Sequence, residues 1–265
     1  MLKELKAHYK KHGRHDLPWR KTYDPYKILV SEVMLQQTQV ERVLPKYTAF
    51  IKKYPTASRL AAAPLSRVLT DWQGLGYNRR AKFLLGAARI IAEKGFPKKV
   101  EAIEALPGVG HYTARAIAAF AFNKPEAFVE TNIRTVLFHH YGDLFIHGQV
   151  HDADLLPLIA DLLKRSRMKP RDFYAAMMDY GSHLKRQGVR VNNKSAHYVK
   201  QGKFEGSARQ LRGAILRELL KHHATLSALS HKIPRSKEEL TMELARLISE
   251  GLVAAQGKTF AISEK

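Results

Sequence analysis

Leu106-Pro107-Gly108-Val109-Gly110-His111-Tyr112-Thr113 lies between a helical segment, Lys99 to Ala105, and another that opens at Tyr112. Its two glycines permit a tight turn with φ > 0 and leave the backbone uncovered. The turn ends at a helix N-terminus, where free N–H groups and the helix dipole attract an anion. A hairpin that grips a phosphate requires these features, although an ordinary turn between two helices uses similar residues.

The flanking sequence is helical in period. Ala57 to Trp72, Arg79 to Glu93 and Thr113 to Phe122 repeat apolar residues at three- and four-residue spacing. Pro and Gly punctuate them, at Pro18, Pro25, Pro55, Pro64, Gly74, Gly76, Pro97 and Pro125 among others. No alternating strand pattern precedes the last residues, so the main body reads as all-α with short loops.

The whole chain has 265 residues, with 45 Lys+Arg against 24 Asp+Glu, a formal net charge of +21 and no cysteine. Its length allows two or three domains with real cores. Without cysteine there is no disulfide framework, no Cys-ligated zinc and no iron–sulfur cluster. No run approaches the apolar length of a membrane helix, and Met1 to Arg20 lacks the apolar stretch of a secretory signal. The expected location is cytoplasmic, at the nucleoid if the source is prokaryotic. The charge calls for a polyanion, with nucleic acid first and an anionic membrane second.

Ten basic residues fall between Lys185 and Lys221, against the acids Glu205 and Glu218. Residues 187–206 read as a basic linker lying along a polyanion. Beyond it, Ser207 to His222 and Leu226 to His231 read as helices, Lys237 to Glu250 as a third ended by Gly251, and Leu252 to Ile262 as a hairpin. Three helices and a hairpin resemble a small winged-helix α+β domain over 207–265. Such a domain either contacts DNA or serves as a packing or protein-binding module.

Pro18-Trp19-Arg20, Ser31-Glu32-Val33-Met34-Leu35-Gln36-Gln37-Thr38-Gln39-Val40, Gly74-Leu75-Gly76-Tyr77 and the 106–113 stretch occur in this order. Together they resemble the helix-hairpin-helix DNA glycosylases, in particular the MutY-type adenine DNA glycosylases, over residues 16–184. The resemblance implies an all-α glycosylase domain over 1–186. Its six-helix barrel would span about 24–130, its second helical subdomain 1–23 and 131–186, and the active-site cleft would lie between them.

It also implies the chemistry. Breaking an N-glycosidic bond takes a proton on the leaving base and negative charge near the developing sugar cation, which two carboxyl groups in opposite protonation states supply. Glu32 matches the general acid, and burial beside Val33, Met34 and Leu35 would raise its pKa. The second carboxylate is Glu130, where the family has Asp; Asn132 two residues later is retained. Tyr112 stands where bifunctional relatives have a Schiff-base lysine, which implies a monofunctional enzyme without lyase activity. A base in a duplex must be flipped out to react. Tyr77 matches an intercalating wedge, Gln37 a base contact and Arg20 a neighbour of the flipped adenine. Leu106, Gly108, Val109, Gly110, His111 and Thr113 form the DNA-gripping hairpin, and Lys185, Arg186 and Arg190 add basic contacts.

The chain departs from the family in two respects. The first cluster cysteine would fall near Lys185, so the iron–sulfur cluster is absent, and the C-terminal segment is too short for a Nudix-like domain. No cofactor is expected beyond a monovalent cation at the hairpin, and no metal site. The expected partner is double-stranded DNA with a mispaired or damaged base, bound by a monomer with no membrane partner. Adenine opposite guanine or 8-oxoguanine is the first substrate reading. Thymine or uracil opposite guanine is the second, and a catalytically weak DNA-structure-binding protein the third.

Overall fold

The computed structural model describes residues 1–145, 149–198 and 202–264. In chain order the helices are α1 (Leu2–His12), α2 (Pro25–Leu35), α3 (Val40–Lys53), α4 (Ala57–Ala61), α5 (Leu65–Trp72), α6 (Arg79–Lys94), α7 (Val100–Glu104), α8 (His111–Phe122), α9 (Thr131–Tyr141), α10 (Asp152–Ser166), α11 (Pro170–Arg186), α12 (Ala208–Leu219), α13 (Leu226–Lys232) and α14 (Lys237–Ser249). The strands are β1 (Ala224–Thr225), β2 (Val253–Gln256) and β3 (Thr259–Ile262). The helical body and the C-terminal hairpin follow the periodicity of the sequence. Strand β1 does not, because two residues are too few to alternate. The chain divides into two compact units: residues 1–32, 97–105 and 109–200, and residues 33–96, 106–108 and 201–265.

The first unit is built around α11, which packs against α1, α8, α9 and α10. Phe173, Tyr174, Ala176 and Met177 of α11 are fully buried, each large side chain contributing about 1.5–3 kcal/mol of transfer free energy. Gly181 of the same helix meets α9 backbone to backbone. A Cβ there would overlap the Asn132 carbonyl, so only glycine allows the approach.

Asp179, also on α11, is 2% exposed and ties down the N-terminal segment. It accepts from the Arg14 backbone N–H at 2.9 Å and Arg14 Nε at 2.6 Å, and from Arg20 Nη1 at 2.5 Å and Nη2 at 2.9 Å. Burial alone would raise its pKa; the Arg20 and Arg14 guanidinium groups outweigh burial and hold the carboxyl below its ordinary value. Arg171 anchors the adjoining turn by donating to the carbonyls of Phe120 and Arg20, under the ring of Tyr23.

Part of the stretch read as a linker is folded. Asn192 donates to the Thr131 carbonyl and the Thr135 hydroxyl of α9, and Val150 pairs with Ser195 in an isolated bridge. Composition suggested a linker along a polyanion, whereas the Asn192 side chain pairs with a helix. Lys200, counted in the basic run, lies outside the described residues.

In the second unit α6 packs against α4 and α5. The C-terminal segment has the order helix, strand, helix, helix, hairpin, and its antiparallel sheet runs β1-β3-β2. Val253 faces Ile262 and Gln256 faces Thr259 across the hairpin. Ser236 and Glu239 form a capping box at the start of α14. Lys82 of α6 donates to the Glu250 carbonyl at 2.8 Å, a cation at the end of α14. Arg212 of α12 bridges Glu243 and Glu250. No helix among the described residues is long and apolar enough to cross a membrane.

Asp179→Ala leaves two arginines without their buried partner and should cost about 3 kcal/mol in a denaturant titration; a loss under about 1 kcal/mol would contradict the role given to this residue. Because the folded pKa of Asp179 is depressed, its contribution is complete above the unfolded value of 3.8 and is lost as pH falls through the lower folded value.

Candidate active site

Three segments of the first unit bring the catalytic candidates together. Glu32 sits on α2 and is 7% exposed. Tyr112, in the first turn of α8, donates its hydroxyl to Glu32 Oε2 at 3.3 Å. An aromatic column seats that tyrosine: Phe128 meets it edge-on at 5.5 Å and stacks on Tyr174 at 3.8 Å. The Tyr174 hydroxyl is anchored on the Glu126 carbonyl.

Glu130 is the N-cap of α9. Its Oε1 accepts from the backbone N–H groups of Asn132 at 2.8 Å and Ile133 at 2.9 Å, and its Oε2 from Asn132 Nδ2 at 3.2 Å. The Glu130 side chain thus folds back onto its own helix. Asn132 in turn accepts from Lys185 Nζ at 2.8 Å through Oδ1. Lys185 therefore points inward to the α9 N-terminus, whereas Arg186 and Arg190 are exposed.

The two carboxyl groups have different surroundings. Burial raises the Glu32 pKa to about 7; the nearby Glu130 charge adds to that, while the Tyr112 hydroxyl and Arg20 oppose it. Burial also raises Glu130, against the N–H groups of Asn132 and Ile133 and the charges of Lys185 and Arg134. Glu130 thus has two backbone donors and two cations beside it, whereas Glu32 has the Tyr112 hydroxyl. Burial and both carboxylates hold Tyr112 well above the ordinary phenol value, so it stays a donor. Arg20 acts on Glu32 through its charge while its guanidinium is held by Asp179.

The remaining candidates are placed as follows. Gly110 is the N-cap of α8 and has no atom within 4 Å of a would-be Cβ, so its backbone is open. His111 is exposed beside Glu104 and Arg115; Thr113 is buried. In the second unit, Gly108 has φ +74°, and a Cβ on it would come within 2.6 Å of Phe83. Leu106 and Val109 are buried apolar anchors.

Gln37 and Tyr77 both adopt φ > 0, at 53° and 46°. Non-glycine residues pay about 1 kcal/mol or more for this. The buried Arg80 holds both corners. Its guanidinium donates to the Gln36 carbonyl at 2.6 Å and the Gly76 carbonyl at 3.2 Å, the peptides leading into Gln37 and Tyr77. It also closes the C-terminal end of α2 through the carbonyls of Val33 and Met34. Sequence reading missed Arg80, since in a helix rich in basic residues nothing distinguishes a buried arginine from a solvated one. It also missed the inward role of Lys185, which only its partner reveals.

The family described as HhH-GPD superfamily base excision DNA repair protein matches residues 30–152. An adenine DNA glycosylase of Mycolicibacterium smegmatis is 43% identical over 176 residues, which cover 64% of this chain and 59% of that protein. The human adenine DNA glycosylase is 43% identical over 136 residues, 47% of this chain and 25% of that one. The chain thus spans about three-fifths of the bacterial relative's length and a quarter of the human one's. The solved structure of a thermostable thymine-DNA glycosylase superposes with a TM-score of 0.59 at 30% identity, covering 74% of this chain and 94% of that one. Glu32, Tyr112 and Glu130 all lie inside the matched family region, and the chain belongs to the HhH-GPD superfamily of base excision DNA repair proteins.

Proposed function

We propose that the protein is a monofunctional DNA glycosylase that acts, as a monomer, on a mispaired adenine flipped out of duplex DNA. The observation that carries this reading is the unequal carboxyl pair, with Glu32 near a pKa of 7 on the Tyr112 hydroxyl and Glu130 capped by donors and cations. Glu32 gives its proton to a ring nitrogen of the base. The C1′–N bond breaks with its electron pair leaving on the base. Glu130 faces the positive charge that develops on the sugar. Water then adds to C1′ and gives up a proton, leaving an abasic site. Tyr112 cannot form an imine, so the strand is not cut. With no cysteine, no Cys-ligated cluster forms; a monovalent cation at the 106–110 hairpin would assist phosphate binding. The site of action is wherever the cell keeps its DNA.

Adenine is favoured by the relatives named adenine DNA glycosylase. A second reading, thymine opposite guanine, has support from the thymine-DNA glycosylase that matches over nearly its whole length. Duplexes carrying A opposite 8-oxoguanine, A:G, T:G or U:G, cleaved with hot alkali after incubation, separate the two. Product from the adenine duplexes alone is expected; product from T:G or U:G alone would replace the first reading with the second, and tight binding without product would favour a non-catalytic role.

Because Glu32 must hold a proton, kcat/KM should fall as pH rises through about 7. Glu32→Gln should lower turnover by about 100-fold or more, the usual contribution of a positioned acid, with DNA affinity nearly unchanged. Unaltered turnover would remove Glu32 from the mechanism.

Affinity for duplex DNA should drop at least about tenfold between roughly 50 and 200 mM salt, as Lys/Arg–phosphate contacts release counterions. A flat salt dependence would speak against the net charge of +21 as a DNA-binding device.

A further inference from the structure

Lys185 is half-buried on α11, and its Nζ lies 2.8 Å from Asn132 Oδ1. An ammonium group has three donors and no acceptor, so the part of the amide that faces it is the oxygen. The other half of the amide is thereby fixed. Asn132 Nδ2 is turned to Glu130 Oε2, to which it donates at 3.2 Å. Rotated by half a turn, the same amide would set its oxygen against the carboxylate. The two ends of an amide are nearly alike in shape, so it is the partners on each side that choose between them.

Two helices build this arrangement. Gly181, one turn before Lys185 on α11, lets the Asn132 backbone come close. Glu130 Oε1 is held by the backbone N–H groups of Asn132 and Ile133, which leaves the Asn132 side chain to hold Oε2.

The charged and titratable groups that act on Glu130 come from four helices. They are Glu32 of α2, Tyr112 of α8, Arg134 of its own helix and Lys185 of α11, with Arg190 beside the lysine. Arg134 is already paired, since it clasps Asp152 through two contacts of 2.6 Å. Lys185 donates to a neutral amide, and the carboxyl that acts on its charge is that of Glu130. Burial opposes both charges, raising the pKa of Glu130 and lowering that of Lys185, and each group offsets this in the other.

We propose that Lys185 is a positioning residue for base release: it fixes the polarity of the Asn132 amide and, through it, the orientation of the Glu130 carboxylate. Its charge also favours the ionised form of that carboxyl. The proposal rests on the reading of Glu130 as the group that faces the sugar cation. It gives Lys185 a role distinct from the DNA contact that the basic run suggests.

The test compares Lys185→Met and Lys185→Arg in the full chain, with Glu130→Gln as reference, on a duplex carrying adenine opposite 8-oxoguanine. Lys185→Met should lower kcat by about tenfold or more, the effect of a misplaced catalytic group. Lys185→Arg keeps charge and donors and should retain most of the turnover. In Lys185→Met the acid limb of the kcat profile should move up by about one pH unit, because a carboxyl that loses a nearby cation ionises at higher pH. The Glu130 carboxyl carbon, followed by NMR against pH, should move the same way, a readout that needs no turnover. Affinity for a duplex with a tetrahydrofuran abasic analogue, and its salt slope, should stay as in the wild type. Lys185→Met added to Glu130→Gln should cause no further loss, since it acts through that carboxyl. Should Lys185→Met not fold, Lys185→Gln, which keeps a donor without the charge, carries the same pH test. Weaker binding and a shallower salt slope, with kcat and the acid limb unaltered, would make Lys185 a phosphate contact and overturn the proposal. Unaltered turnover in Glu130→Gln would sink the reading of Glu130. Lost turnover in Glu130→Gln, with kcat and the Glu130 titration unaltered in Lys185→Met, would sink the assignment of Lys185 alone.

Discussion

The amino end of α9 approaches α11 so closely that no side chain fits at Gly181. That contact sets much of the site. It brings Asn132 within reach of Lys185, four residues along α11 from Gly181, and presents the free N–H groups of α9 to Glu130. A helix N-terminus needs an acceptor, and here the Glu130 carboxylate meets that need. The same helix α11 holds Arg14 and Arg20 through Asp179.

The two glutamates of the candidate site differ in their surroundings. Isolated in water they would titrate together. Burial raises both, but Glu130 gains backbone donors and the charges of Lys185 and Arg134, whereas Glu32 has a phenol that stays protonated. Two residues of the same type therefore sit in different electrostatic surroundings, set by their neighbours.

The second unit is organised around another buried charge. Arg80 gathers carbonyls from the end of α2 and from the turn after α5, and so stabilises two left-handed residues, Gln37 and Tyr77. Strain of this kind persists only where the surroundings over-determine it. Burial lowers the guanidinium pKa to about 10, still fully charged at neutral pH.

Legible from the order of residues were the helical class, the position of the turn at 106–110, the C-terminal helices and hairpin, and the residue types of the site. These are properties of spacing: period 3.6, glycine and proline punctuation, and motifs a few residues long. Glu32 and Glu130 were legible as an acid pair because their local runs resemble those of a family. Only long-range contacts settle the surroundings of each carboxyl, that Lys185 points at Asn132, that Arg80 is buried, that Asn192 folds onto α9 and that β1 completes the sheet. Each depends on partners distant in sequence: Lys185 is 53 positions from Asn132, and Arg80 44 from Gln36. Neither local periodicity nor residue type records such a contact; desolvation and hydrogen bonding between distant segments arise only when the chain has closed on itself.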